Sequence, residues 1–409
     1  MSLDLDISDA PTISDEALDE VIALRRAIHA DPEVGLHCPR TTEKAKAALA
    51  GLPLEIRDGT RTTGFVAILR GGRAGAGSNT RTVLLRGDMD ALPMEEETGL
   101  PFASRVPGAM HACGHDAHTA MLVGAARQLC AMRERLPGTV VFMFQPGEEG
   151  HHGAREMIAD GLLADPRPDA AFALHISPNA PAGVFVGRAG PLLASTDTVH
   201  AVIRGKGGHA AMPHDACDPI PAACEIVGAL QTFIARQVPV ADPAVLTITQ
   251  FHAGSSHNII PGEVRLLGTL RTLSERTREQ ARAGFRRVAE GVAAAHGCTA
   301  ETRIDEGYPV TMCDPRATAL MEEIAGGPGG IGAGWERMPA PMMGGEDFSY
   351  VLREMPGAMA FIGVAPAGSD HRTNPPLHNT RMTIEEKAMA QGVAMHCALA
   401  VRFLERGWG

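Results

Sequence analysis

The sequence predicts an α/β protein: a mostly parallel sheet with helices on both faces, interrupted by an inserted, ferredoxin-like α+β domain. Three observations carry this. Apolar strand-like runs alternate with helix-patterned segments through the first half of the chain, the rhythm of βαβ units. Near residue 190 the order becomes β-α-β-β-α-β, the ferredoxin-like arrangement. At 409 residues the chain is also too long for one compact core, so two domains are expected. The expected division gives 1–190 and 306–409 to the first domain and 191–305 to the insertion.

Residues 16–30 (EALDEVIALRRAIHA) space their apolar side chains at helical intervals. Residues 82–87 (TVLLRG) read as a short buried strand, followed by Asp88, Met89 and Asp90. An apolar helix is expected over 118–132 and a strand over 139–145, ending at Pro146-Gly147. A short helix over 153–163 and a strand over 169–174, stopping at His175, follow. In the insertion, 197–205 reads as a strand. Asp218 is a helix N-cap with Pro219 at the first position, and that helix runs to about 237. Strands over 244–251 and 263–272, a charged helix over 274–296 and a strand near 298–305 complete the domain. The chain closes with a helix near 346–354, a strand over 357–364 and a long helix from Thr383. There Thr383 and Glu386 fit a capping box.

The formal net charge of -11 argues against nucleic acid, because phosphate binding needs a basic stripe. The acidic start, MSLDLDISDAPTISDE, has no basic n-region and no apolar h-region, so no signal peptide is expected. No apolar run reaches the length of a membrane span. A cytoplasmic protein with no membrane partner is the expectation. The eight cysteines are scattered without a CxxC pair, which is not a disulfide framework. Most read as small buried hydrophobes, and there is no internal repeat.

The chemistry concentrates in a few segments. Met110 to His118, MHACGHDAH, packs Cys113, His115 and His118 into six residues, with Asp116 among them. A thiolate, imidazoles and a carboxylate this close suit a borderline-soft divalent metal. The alternative is a core thiol beside a capping His, although Gly114 allows a tight loop. Glu148 and Glu149 in QPGEEG are either a solvated acidic loop or a metal ligand beside a general base. Asp88 and Asp90 are either turn residues, or direct metal ligands or groups that orient a ligand by hydrogen bonding. His175, in ALHISP, is a ligand or a satisfied core histidine, and His378, in PPLHNT, is a weak candidate taken alone. Asp88 and Asp90, Glu148 and Glu149, and His175 share a placement after strand C-terminal ends, where open α/β sheets put their sites. In the insertion, His209 in GKGGH could be a solvated strand-end His. Arg271 is either a surface residue or a bidentate partner for a substrate carboxylate. Gly344 to Asp347 either lines a pocket through backbone N–H groups or only starts a helix. His29 reads as structural, and His151 and His152 as exposed and peripheral.

Together, RGDMDALP, MHACGHDAHTA, FQPGEEG, ALHISP, GKGGHAAMPH, HNIIPGEVRLLGTLRT, MGGEDFSY and PPLH resemble the metal-dependent aminoacylase and carboxypeptidase family. The resemblance is to the branch with hippurate hydrolase, N-acyl-L-amino-acid amidohydrolases and auxin-conjugate hydrolases, and it runs from about residue 25 to the C-terminus in the family order. It implies two divalent metal ions per subunit, with Cys113, His115, Glu149, His175 and His378 as ligands. Glu148 then matches the general acid/base that works on a metal-activated water, and Asp90 the residue that orients a ligand. His209 matches a histidine of the inserted domain that reaches the active site, often that of the partner subunit, and Asn258 a substrate-contacting residue. Relatives outside the branch carry a metal-binding His where Asp88 stands, and here the Cys-bearing loop substitutes. The inserted domain is implied to be a lid and a dimerisation domain, giving a homodimer. Thiolate and imidazole suit zinc, nickel or cobalt, and the carboxylates admit manganese. The implied reaction is cleavage of N-acyl amino acids, of the N-acetyl or hippurate-like N-benzoyl type, to a carboxylic acid and the free amino acid. A dipeptidase or carboxypeptidase on the same scaffold is the alternative. A non-catalytic protein with a structural metal is the third reading. The mixed ligand set and the extra Glu148 speak against it, because structural zinc sites are closed four-ligand cages.

Overall fold

The computed structural model describes residues 10, 12–73, 80–327, 330–331 and 334–409. Residues 1–9 and 11 of the acidic start, where the absence of a signal peptide was expected, lie outside them. In chain order the strands are β1 (Glu55–Asp58), β2 (Phe65–Arg70), β3 (Thr82–Asp88), β4 (Thr139–Gln145), β5 (Ala170–Ser177), β6 (Phe185–Gly187), β7 (Gly190–Leu193), β8 (Asp197–Arg204), β9 (Gly208–His209), β10 (Ala244–Ala253), β11 (Ile259–Ile260), β12 (Glu263–Thr272), β13 (Thr299–Glu306), β14 (Thr311–Cys313), β15 (Trp335–Arg337) and β16 (Gly357–Gly363). The helices are α1 (Asp15–His29), α2 (Pro39–Leu49), α3 (His115–Ala131), α4 (Gly153–Ala159), α5 (Pro219–Gln237), α6 (Glu275–Ala295), α7 (Pro315–Gly326), α8 (Ser349–Glu354) and α9 (Met389–Arg406).

The chain forms two compact units. The first comprises the described residues of 1–192, 312–340 and 347–409, the second those of 193–311 and 341–346. The short return of Pro341–Glu346 to the second unit was not expected. It is made by long-range backbone pairing, in which the Ala194 N–H donates to the carbonyls of Met342 (3.1 Å) and Gly344 (2.9 Å). Such pairing leaves no local pattern in the sequence.

The first unit is built on an eight-stranded sheet of order β1-β2-β4-β3-β5-β16-β6-β15. Its central strands β4, β3, β5 and β16 are mutually parallel, while β2 and β6 pair antiparallel at their flanks. Every residue of β3, β4 and β16 is buried. That is why they read as unbroken apolar runs and not as alternating ones. Edge strand β1, EIRD, is polar and mostly exposed. Helix α3 is buried from His115 through Ala126 and packs against α1, α9 and β3.

The second unit carries a four-stranded antiparallel sheet of order β10-β12-β8-β13, with α5 and α6 against it. This is the ferredoxin-like arrangement of β-α-β-β-α-β. Burial alternates along β8, so Val199, Ala201 and Ile203 point into a core shared with Phe233 of α5 and Phe285 of α6. Asp218 caps α5 as expected, accepting from the Ile220 N–H at 3.0 Å.

Four local expectations need correction. Helix α3 starts at His115, three residues early, because Gly114 turns the chain in the left-handed region (φ 84°). Helix α4 ends at Ala159 and does not reach 163. Strand β5 continues to Ser177, so His175 lies inside the strand and not after its end. The capping box at Thr383 does not form. Glu386 begins a single 3-10 turn, its carboxylate held by Arg25 (3.0 Å) and Arg26, and α9 starts only at Met389. Two guanidinium partners outweigh one backbone N–H for that carboxylate. Helices α2 and α7 were not expected, although each carries Pro in its first turn.

Candidate metal centre

The C-terminal ends of β3, β4 and β5 lie side by side, and each delivers polar side chains to one buried cluster. Asp88 closes β3 and Asp90 follows it. Both Asp90 oxygens are engaged by the acidic pair after β4: one accepts from the Glu148 N–H (2.9 Å), the other from the Glu149 N–H (3.1 Å). Asp90 also approaches His115 Nδ1 at 3.4 Å, and Asp88 approaches its Nε2 at 3.6 Å. A single buried carboxylate therefore fixes the backbone of the Glu148-Glu149 turn and faces the His115 ring.

Cys113 and His115 meet the cluster through Gly114. A Cβ there would stand 2.2 Å from the Ile176 side chain, in a backbone conformation that L residues rarely adopt, so only glycine passes this point. His175 donates Nδ1–H to the Ile176 carbonyl at 2.7 Å. That fixes its tautomer and leaves the Nε2 lone pair 3.3 Å from Cys113 Sγ. His378 has φ 64°, a strained value for a residue with a Cβ. Its N–H is tethered to the Ala112 carbonyl at 2.9 Å, and its Nε2 lies 3.2 Å from Glu149.

These side chains form overlapping groups whose donor atoms lie within 4.8 Å of one another: Cys113, His115 and His175; Cys113, Glu149 and His378; and His115 with Glu148 and Glu149. Cys113 is common to the first two. The cluster fits divalent cations on three counts. Both ring nitrogens of His115 are buried without a hydrogen-bond partner, with only the Asp90 and Asp88 carboxylates at 3.4 and 3.6 Å, a costly state for polar atoms. Burial, with the Glu149, Glu148 and Asp88 carboxylates, pushes the Cys113 thiol well above its ordinary range. Burial would lower His115, but Asp88, Asp90 and Glu149 outweigh it and raise the ring to about 10. The cluster is rich in donors and short of positive charge. Its mix of thiol, imidazole and carboxylate suits zinc, cobalt, nickel or manganese.

Glu148 is buried, and its Oε1 accepts from the Asp347 N–H at 3.3 Å. Asp347 is held in turn by Gln145 Nε2 (2.7 Å), the Ala154 N–H (2.9 Å) and Arg86 (3.2 Å). Of the expected backbone lining at Gly344 to Asp347, the Asp347 N–H is the one that meets Glu148. Arg86, Gln145 and the Asp347 side chain escaped the sequence reading. Their signal was a charged residue inside the apolar strand TVLLRGD and a Gln closing TVVFMFQ.

Two members of the MHACGHDAH cluster are already engaged, His118 within a group it forms with Asp88 and His115, and Asp116 away from it. His118 donates Nδ1–H to Asp88 at 2.6 Å and accepts the Ile176 N–H on Nε2 at 2.8 Å, so both ring nitrogens are spent. Asp116 binds Arg25 (2.7 Å) and His29 (2.8 Å). His152 is half-buried and not exposed, with φ 60° and Nδ1 3.0 Å from the Tyr350 hydroxyl, whereas His151 is exposed.

The remaining candidates belong to the second unit. His209 on β9 pairs with Ile259 of β11, and the Asn258 carbonyl accepts the Ala210 N–H at 3.1 Å. His209 and Asn258 line one cleft with Gly207, Gly208, Ile260 and Pro261. His209 Nδ1 accepts the Ala211 N–H at 3.1 Å, which leaves Nε2 as an N–H donor. Arg271 on β12 is half-buried and donates Nε–H to Thr269 at 3.1 Å. It forms no ion pair among the described residues, and burial lowers its pKa.

A mostly parallel α/β sheet whose strand ends gather overlapping thiol, imidazole and carboxylate groups, with a buried Glu beside them, defines a metal-dependent hydrolase. The chain belongs to the peptidase family M20/M25/M40, which residues 84–402 match. It is 36% identical over 392 residues to thermostable carboxypeptidase 1 of Saccharolobus solfataricus, covering 95% of this chain and 96% of the relative. It is 37% identical over 386 residues to N-acetylcysteine deacetylase of Bacillus subtilis, covering 94% and 97%. The solved structure of a dinuclear metal-binding peptidase of the M20 family from Bacillus subtilis matches with a TM-score of 0.82 and 34% identity, over 96% of this chain and 99% of that one.

Proposed function

We propose that this chain is a dinuclear metallo-amidohydrolase. It cleaves the amide bond of small N-acyl amino acids, of the N-acetyl or hippurate-like N-benzoyl type, to a carboxylic acid and the free amino acid. One observation carries the reading: two candidate ligand groups share Cys113, and the buried Glu148 stands beside them. Cys113, His115, Glu149, His175 and His378 hold two divalent ions, zinc, manganese, nickel or cobalt. Ions bound there polarise an amide carbonyl and lower the pKa of a water from 15.7 toward ~7. Glu148 takes the proton of the attacking water and passes it to the leaving amine nitrogen, while the Asp347 N–H steadies its Oε1. Asp90 positions the Glu148-Glu149 backbone and the His115 ring. His209, through Nε2–H, serves the developing oxyanion. Arg271, half-buried with no ionic partner among the described residues, takes the substrate carboxylate, and Asn258 contacts the substrate.

The division 1–190 with 306–409 as catalytic domain and 191–305 as lid and dimerisation domain belongs to the same proposal, as does a cytoplasmic homodimer without nucleic-acid or membrane partners. No helix among the described residues is long and apolar enough to cross a membrane. The N-acetylcysteine deacetylase relative supports the N-acyl substrate class. The carboxypeptidase relative, at 36% identity, favours a second reading as a dipeptidase or carboxypeptidase on the same scaffold.

The test is hydrolysis of N-acetyl-L-methionine, N-benzoylglycine and a simple dipeptide by metal-stripped enzyme, with zinc, manganese, cobalt or nickel added back. The expected outcome is metal-restored cleavage of the N-acyl substrates with little on the dipeptide. Dipeptide cleavage alone moves the assignment to the second reading. Stoichiometric metal binding without turnover points to a binding protein.

A further inference from the structure

We propose that Cys217 and Cys298 are a redox-active pair that closes to a disulfide when the protein meets a hydroperoxide. The two thiols lie 81 residues apart in sequence and 3.2 Å apart at Sγ, both within the second unit. A disulfide has S–S of about 2.03–2.05 Å, so closure needs the sulfurs to approach by roughly 1.2 Å. Among the described residues no other two thiols are in contact, and all eight cysteines are free. The Cys217 thiol faces the His296 carbonyl at 3.5 Å and the Cys298 thiol the Asp218 carbonyl at 3.8 Å, both weak contacts that leave the sulfurs facing each other.

Their exposures divide the labour. Cys217 is half-buried and reachable from solvent, while Cys298 is 4% exposed beneath it. The Cys217 thiolate attacks the hydroperoxide, its O–O bond breaks, and Cys217 becomes the sulfenic acid as an alcohol leaves. The Cys298 sulfur then attacks the sulfenic sulfur and expels water. The balance is two thiols and one hydroperoxide to one disulfide, one alcohol and one water, or two waters when the oxidant is hydrogen peroxide. Burial and the neighbouring Cys217 push the Cys298 thiol up to about 11, so little of it is thiolate at neutral pH and the resolving step is slow.

The bond would act on a definite segment. The Cys217 backbone pairs with Lys206 through two 2.8 Å hydrogen bonds, three residues before His209. Cys298 immediately precedes β13, which begins opposite Arg204 of β8. The disulfide therefore staples the strand leading to His209 onto the sheet of the second unit.

The metal-loaded protein is treated with hydrogen peroxide, alkylated, and digested without reductant for mass spectrometry. We expect one linked peptide pair containing Cys217 and Cys298, and a loss of two of the eight thiols counted after denaturation. Dithiothreitol should restore both, and Cys217→Ser should lose neither. Absence of the linked peptide in the wild type overturns the proposal, whatever the variants do. So does an equal thiol loss in Cys217→Ser, which places the oxidation at other cysteines.

Discussion

Cys113 and His115 flank the Gly114 turn, Asp116 and His118 follow within the first turn of α3, and the two sets do opposite work. The first set is buried and short of partners: both His115 nitrogens lack hydrogen bonds, and Cys113 faces the bare Nε2 side of His175. In the second set His118 has both nitrogens bonded, and Asp116 is clamped by Arg25 and His29. All four are residue types that bind metal. What separates a candidate ligand from a residue that holds the ligand-bearing loop is whether its lone pairs are already spent, and spacing does not record that.

The largest expected effect concerns the residue beside the first set. Glu148→Gln keeps the shape of the side chain and removes the proton acceptor. It should lower kcat by roughly 10²–10⁴-fold in steady-state assays while metal content stays that of the wild type. A variant that loses activity only by losing metal would make Glu148 a ligand and redraw the comparison. Next is Asp116→Asn, which leaves Arg25 and His29 without their buried carboxylate. Removing one partner of such a pair costs about 3–5 kcal/mol, read as a lower urea midpoint, with metal content unchanged. His118→Gln strips bonds from Asp88 and the Ile176 N–H and should cost about 1–3 kcal/mol by the same assay. If either variant emptied the site at wild-type stability, the two sets would not differ as argued.

The smallest effect is in pH dependence. Burial would raise Asp116, but Arg25 and His29 hold its carboxyl below 3.8. Burial opposes Glu96 likewise, yet His29, Thr98 and the Ser104 N–H bring it to about 2. Both carboxylates therefore add stability that is complete above their unfolded values and fades as pH falls below about 4.5. Burial would lower His29, but Asp116 and Glu96 raise it. Its contribution is complete below its unfolded value and fades as pH rises through the raised one. Urea midpoints across pH should fall on the acid side, and Asp116→Asn should flatten that limb.

Much of this was legible in the sequence. Buried parallel strands show as unbroken apolar runs, and the residues after β3 and β4 fall where such sheets place their sites. His209 and Asn258, 49 positions apart, could be singled out but not joined. Their shared cleft depends on the two-residue pairing of β9 with β11. Other features depended on long-range partners. His118 is committed by an N–H from β5, 58 positions on, and Asp347 is set by Arg86, 261 positions away. The start of α9 is fixed by Arg25 and Arg26, more than 350 positions before Glu386. The extension of β5 past His175 reflects its pairing with β16 through Ser177.

The most direct measurement is metal content per chain, by plasma mass spectrometry after exhaustive dialysis, for wild type, His175→Ala and His118→Ala. Two ions in the wild type and in His118→Ala, with a clear loss in His175→Ala, is the result expected if unspent lone pairs mark the ligands. A His175→Ala protein that keeps both ions, or a folded His118→Ala protein that loses them, would contradict it.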